Sequence, residues 1–124
     1  MHIQDAPRQA LVLDDEYLIA VELESILSAA GYQVLSAVTV AEARRFVRSL
    51  TVHVAVLDFR MDSEARDLAH DLLAAGVPIV FCTGSLVEEV QAVFPGASVV
   101  SKPFEASTVL QAVAVALSAS VVPD

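Results

Sequence analysis

Four short apolar runs constrain this chain more than any other feature, because each stops at a residue able to do chemistry. Ala10-Leu11-Val12-Leu13 ends at Asp14-Asp15, and Val54-Ala55-Val56-Leu57 ends at Asp58. Ile79-Val80-Phe81-Cys82 ends at Thr83, and Ser98-Val99-Val100-Ser101 ends at Lys102, the chain's only lysine. Short apolar runs separated by longer helical stretches read as buried parallel strands. Ligands of an open α/β sheet bind outside the carboxyl ends of its strands. Three carboxylates, a hydroxyl and a lysine are therefore expected to meet in one small site.

The segments between these runs carry helix signals. Strand one is expected over 9–14, followed by a helix over 16–30 with Ile19, Leu23, Ile26, Leu27 and Ala30 on one face. Gly31 closes that helix as a left-handed cap. Strand two spans 32–37, and Thr39-x-x-Glu42 reads as a capping box opening a helix to Leu50. Strand three spans 52–57, and a loop at 58–63 leads into a helix through Leu68, Leu72 and Leu73, ended by Gly76. Strand four spans 78–82, and Ser85-x-x-Glu88 opens a short helix over 85–93, before Pro95-Gly96. Strand five spans 97–101, and a last helix 105–119.

Five strand–helix units in 124 residues fit one domain, with no linker, low-complexity tract or internal repeat. A hydrophobic content of 56% against 19% charge excludes disorder and favours a sheet covered on both faces. The predicted fold is α/β: a flavodoxin-like (βα)5 doubly wound parallel sheet with strand order 2-1-3-4-5. In that order strands one, three, four and five each end in a candidate site residue, whereas edge strand two ends in Ser36-Ala37.

Charge and composition remove whole classes of function. A formal net charge of -9 argues against a nucleic-acid partner, which calls for a basic footprint. A single cysteine, Cys82, permits no internal disulfide and suits a reducing cytoplasm. The N-terminus, Met1-His2-Ile3-Gln4-Asp5, has no signal-peptide pattern. The uncharged stretch Ala106 to Val122 is interrupted by Ser, Thr and Gln and is short for a membrane span. The histidines His2, His53 and His70 form no ligand cluster, and Cys82 has no partner at metal-binding spacing.

Clustered carboxylates repel and are driven to protonate unless a cation neutralises them. Mg²⁺ suits such a site, since it takes one or two carboxylates, keeps several waters and accepts a phosphate oxygen. A carboxylate can itself accept a phosphoryl group, and a metal, a lysine and a hydroxyl are then the partners the transferred charge requires.

At these residues the chain resembles the receiver domain of bacterial two-component response regulators. The resemblance runs through Leu11-Val12-Leu13-Asp14-Asp15-Glu16, Val56-Leu57-Asp58 with Met61 three residues on, Thr83, and Lys102-Pro103-Phe104. It implies that Asp58 is the phosphorylated residue, that Asp15 is a direct Mg²⁺ ligand and that Asp14 acts largely through metal-bound water. The Arg60 backbone carbonyl would complete the metal shell, Thr83 would hydrogen-bond the phosphoryl group, and Lys102 would pair with Asp58 or its phosphate. The Lys102-Pro103 bond is expected to be cis. Phe81-Cys82-Thr83-Gly84 is similar to the Phe-Ala-Thr-Gly motif of the stand-alone receivers nicknamed FAT GUY, with Cys82 in place of alanine.

Three positions depart from the family pattern. Val99 stands where receivers usually carry a Tyr or Phe that swings inward, so the signal is expected to travel through the loop after Thr83 and the helix 85–93, with Gly84 giving that loop freedom. Asp62 replaces a proline and reads as a helix N-cap. Arg60 and Ser85 occupy positions that tune the loss of phosphate in receivers.

The resulting expectation is a single-domain response regulator without an output domain. It would be phosphorylated by a histidine kinase or phosphotransfer protein, and signal through protein partners or serve as a phosphate sink. It would be no enzyme beyond its own phosphotransfer and dephosphorylation. The last helix is apolar on more than one face through Val109, Leu110, Val113, Val115 and Leu117. It therefore suggests a homodimer or partner contact through the fourth helix, fifth strand and fifth helix. Two alternatives stand beside this reading. One is a degenerate receiver acting as an adaptor without phosphorylation. The other is a Mg²⁺-dependent phosphohydrolase, which commonly needs a second Asp where Arg60 stands.

Overall fold

The computed structural model describes residues 7–60 and 62–119. His2, Met61 and the end of the uncharged stretch, Val121 and Val122, lie outside the described residues. Along the chain run β1 (Gln9–Leu13), α1 (Tyr17–Ala29), β2 (Gln33–Ala37), α2 (Val40–Ser49), β3 (Val54–Leu57) and α3 (Ser63–Ala74). They are followed by β4 (Ile79–Thr83), α4 (Val87–Val93), β5 (Ser98–Ser101) and α5 (Ala106–Ala119). The five strands form one parallel sheet in the order β2-β1-β3-β4-β5, as the sequence predicts.

Side chains of a strand alternate between faces, and this splits the core in two. Leu11, Leu13, Ala55, Leu57, Ile79 and Phe81 point to the side covered by α2, α3 and α4. Ala10, Val12, Val54, Val56, Val80 and Cys82 point to the side covered by α1 and α5. Both faces are dry, which is why these strands read as continuous apolar runs rather than as alternating ones.

Local signals set most of the helix ends. Thr39 caps α2 by accepting the Glu42 N–H at 3.2 Å, and Glu42 reaches back to the Val38 N–H at 3.1 Å. Asp62 caps α3, its carboxylate accepting the Ala65 N–H at 3.2 Å. Gly31 and Gly76 follow α1 and α3 with φ of 98° and 84°, the left-handed conformation that glycine adopts without a Cβ penalty. The expected box at Ser85-x-x-Glu88 is displaced by one residue. Leu86 occupies the N-cap of α4, and Glu89 accepts the Leu86 N–H at 3.0 Å. Ser85 instead turns its N–H onto the Thr83 hydroxyl at 3.2 Å. Only Glu89 of the second frame, Leu86-x-x-Glu89, takes part in the cap, and the turn at Thr83 decides for that frame.

α5 buries Val109, Val113, Ala116 and Leu117 against the sheet. Of its bulky apolar residues Val115 is exposed, at 57%, and Leu110 is half-buried; the rest of that surface is alanine, serine, threonine and Gln111. Among the described residues, no helix is long and apolar enough to cross a membrane.

Candidate functional site

The sheet ladder places the site. Beyond the last residue of β1, the Asp14 N–H donates to the Ala37 carbonyl at 3.2 Å; beyond β3, the Asp58 N–H donates to the Leu13 carbonyl at 3.0 Å. Beyond β5, the Lys102 N–H donates to the Thr83 carbonyl at 2.9 Å. Each residue is thus held by a backbone bond to a neighbouring strand, so their side chains converge with little conformational freedom. The Lys102-Pro103 bond is cis, as expected.

Lys102 is the hub. Its ammonium lies 2.9 Å from Asp14 Oδ2, 3.0 Å from Glu16 Oε1 and 3.4 Å from Asp58 Oδ2. The other oxygens of the two buried aspartates accept local backbone N–H groups, Asp14 from Glu16 at 2.9 Å and Asp58 from Arg60 at 3.0 Å. Asp14, Asp58 and Thr83 are the buried polar residues of the described chain, and Thr83 is fully enclosed at the end of β4. Arg60 follows in the turn that Asp58 closes, and its guanidinium arches to the β4–α4 loop. A methyl group on Gly84 would sit 3.8 Å from Arg60 Nη1. Gly84 does not use the left-handed conformation, so the freedom expected there is not drawn on in this state.

Burial pushes the Asp14 carboxyl above the usual carboxylate value, and the Lys102 bond opposes that only in part. Burial works against the charge of Lys102 too, but its bonds to Asp14 and Glu16 outweigh it and hold the ammonium well above the ordinary lysine value. The lysine therefore stays charged at any physiological pH.

Carboxylate oxygens of Asp14, Glu16 and Asp58 all lie within 4.8 Å of one another. Three carboxylates against one ammonium leave the cluster anionic, and its donors are all oxygens. A hard divalent cation answers both facts, so the residues present fit such an ion. Asp14 and Asp58 are brought together as the sequence predicts, with Thr83 and Lys102 beside them. Asp15 is exposed and lies outside that close set, while Glu16, not singled out as a ligand or a lysine partner, is inside it. The signal for Glu16 was its place directly after the acid pair, at the mouth of α1.

A depression of about 410 Å³ lies elsewhere. It opens at the opposite end of β4 and β5, between His70, Phe94, Pro95 and Ala119, and is mainly apolar. It has no part in the carboxylate chemistry.

A family model described as the response regulator receiver domain matches residues 10–114. No match was found among curated proteins. The fold is similar to the chemotaxis protein CheY4 of Vibrio cholerae, with 24% identity, a TM-score of 0.80, and coverage of 90% of this chain and 100% of that one. A CheY-like receiver domain protein from Methanospirillum hungatei is 24% identical, with a TM-score of 0.78 and coverage of 93% and 97%. The receiver domain of Erythrobacter litoralis PhyR is 23% identical, with a TM-score of 0.78 and coverage of 96% of each chain. At these identities the structural likenesses speak for the fold alone.

Proposed function

This chain belongs to the response regulator receiver domain family, and on that premise we propose that it is a phosphorylation-switched signalling module with Asp58 as the acceptor. The observation that carries the proposal is the cluster itself. Asp58 is buried at the end of β3, within ligand distance of two further carboxylates and 3.4 Å from the only lysine. An Asp58 oxygen forms a bond to phosphorus, the bond from phosphorus to the donor atom breaks, and the donor leaves with that electron pair. For a histidine kinase or phosphotransfer protein the leaving group is an imidazole; for acetyl phosphate it is acetate.

Lys102 follows the growing negative charge, and the Thr83 hydroxyl supplies a hydrogen bond to a phosphoryl oxygen. Asp14, Asp15 and Asp58, with the Arg60 carbonyl, would hold Mg²⁺, while the Glu16 carboxylate is taken up by Lys102. The ion, when bound, neutralises charge on the carboxylates and the transferred group. The chain acts as an enzyme only on itself, in accepting and losing phosphate, and we place it in the cytoplasm of a bacterial cell.

Val99 leaves no aromatic side chain to swing on β5. The rings lie deeper instead. Phe59, next to Asp58, meets Phe81 edge-on at 5.9 Å, and Phe81 meets Phe94 of the α4 end at 4.8 Å. This cluster supports a readout through α4, passed to a protein partner, or to a second copy, at the α4–β5–α5 surface.

The test is intact mass after incubation with Mg²⁺ and acetyl phosphate. The wild-type chain is expected to gain one phosphoryl group and Asp58→Asn none. A wild-type chain that stays unlabelled while a control receiver is labelled would point to a phosphorylation-independent adaptor.

A further inference from the structure

Glu16 does something unusual for its place. It is the N-cap of α1, yet its side chain makes no bond to the helix's free N–H groups. Caps are normally residues whose side chain satisfies those donors. The Glu16 carboxylate is bonded instead to Lys102, at 3.0 Å, although 64% of that side chain is exposed to water. An exposed ion pair of this kind gains little unless geometry is arranged for it.

The ammonium has three donors, and all three are directed to carboxylates. The two short bonds go to Asp14 and Glu16, and the longest, 3.4 Å, goes to the acceptor Asp58. The lysine therefore leans toward the α1 side of the site and away from the atom where phosphoryl charge will develop. Asp14 cannot easily follow it, being buried and pinned by the Glu16 N–H. Glu16, at the surface, is the partner that can let go.

We propose that Glu16 is a latch on Lys102. It is a positioning residue that holds the ammonium off Asp58 in the unphosphorylated chain and releases it as the phosphoryl group arrives. The inference rests on the reading of Asp58 as acceptor. Glu16 also adds a negative charge beside the path of an anionic donor, which acts in the same direction. Release frees the N-cap of α1, whose first residues Tyr17 and Leu18 are 69% and 79% exposed, so the latch couples the site to that helix end.

The experiment compares phosphorylation by acetyl phosphate, followed by intact mass across donor concentrations, in the wild type, Glu16→Gln, Glu16→Asp and Glu24→Gln. Glu24 lies exposed on α1 and makes the same charge change without touching the lysine. Glu16→Gln is expected to raise the rate at saturating donor about two- to five-fold, the size of one exposed ion pair. Glu16→Asp should fall back toward the wild type, and Glu24→Gln should match it. A Glu16→Gln rate equal to or below that of the wild type overturns the latch while leaving Asp58 as acceptor.

Because the chain has one lysine, labelling lysine Cε with carbon-13 gives a single resonance that needs no phosphorylation to be read. That resonance should move in Glu16→Gln and stay in place in Glu24→Gln. If it stays in place in Glu16→Gln, the latch is overturned on structural grounds. If no variant takes up phosphate, the acceptor reading falls and the Glu16 contact is judged by the resonance alone.

Discussion

The two faces of the sheet are built from different materials. The side under α2, α3 and α4 buries three rings, Phe59, Phe81 and Phe94, in mutual edge-on and tilted contact, with His70 stacked on Phe94 at 4.6 Å and Arg66 over Phe59 at 4.6 Å. The buried residues on the side under α1 and α5 are Ala, Val, Leu and Cys82, with no ring among them. Rings are large and rigid, and they meet in a few preferred geometries. A small change at one is therefore passed to the next rather than absorbed. Aliphatic side chains pack as densely but present no such linked planes. Phe59 adjoins Asp58, the proposed acceptor, and Phe81 lies two residues before Thr83, so the aromatic face is the one expected to be connected to the chemistry. The aliphatic face is the backing against which it moves.

Truncating one residue on each face separates these roles. Phe94→Ala removes the ring that joins Phe59 and Phe81 to α4, and should cost about 3–5 kcal/mol in urea unfolding. Leu27→Ala opens a cavity on the other face, where Leu27 is fully buried, and should cost about 2–5 kcal/mol. The losses in stability overlap, but the response to phosphate should not. Hydrogen exchange over Val87–Val93 should still change on phosphorylation in Leu27→Ala and no longer change in Phe94→Ala. Equal responses in the two variants would end the distinction between the faces.

A smaller effect tests how the aromatic side is anchored beside Asp58. Asp62 caps α3 four residues after Asp58. Asp62→Ala should lose about 1 kcal/mol of stability, readable as a lower urea midpoint. Asp62→Ser should restore most of it, because serine also accepts the N–H of the third helical residue. A mere charge effect would leave serine no better than alanine.

That cap was legible in the sequence, as were the strand order and four of the site residues, and for one reason. A buried parallel strand writes an apolar run into the chain, and the residue just past it faces the site, so Asp14, Asp58, Thr83 and Lys102 could be read from position alone. The place of Glu16 beside the acid pair put it near the site, but its bond to Lys102 depends on where a long side chain turns at the N-cap of α1. Sequence spacing carries no information on that rotamer. The displaced start of α4 was missed for a similar reason. Ser85 had a competing backbone-to-side-chain bond with Thr83, two residues away, which the capping pattern does not contain. The two-material core was hidden as well. Phe59, Phe81 and Phe94 are far apart in sequence, and only the register Leu57↔Phe81 and the end of α4 bring them together.

The smallest prediction concerns the one ionisable group buried in the aliphatic face. Burial pushes the Cys82 thiol up from 9.0 to about 12. Between those values the unfolded chain has released a proton that the folded chain still holds. Stability due to this group is thus complete below pH 9 and is lost as the pH rises toward 12. Over the first pH unit the loss is at most about 1 kcal/mol. Cys82→Ala should leave stability at neutral pH almost unchanged and flatten the decline on the alkaline side, as the difference in urea midpoint between the two chains at each pH would show. A neutral thiol is also a poor nucleophile, so native Cys82 should resist alkylation under conditions that modify the unfolded chain. Rapid alkylation of the folded protein would mean that this face opens to water, and that the contrast with the aromatic face is one of mobility rather than of linkage.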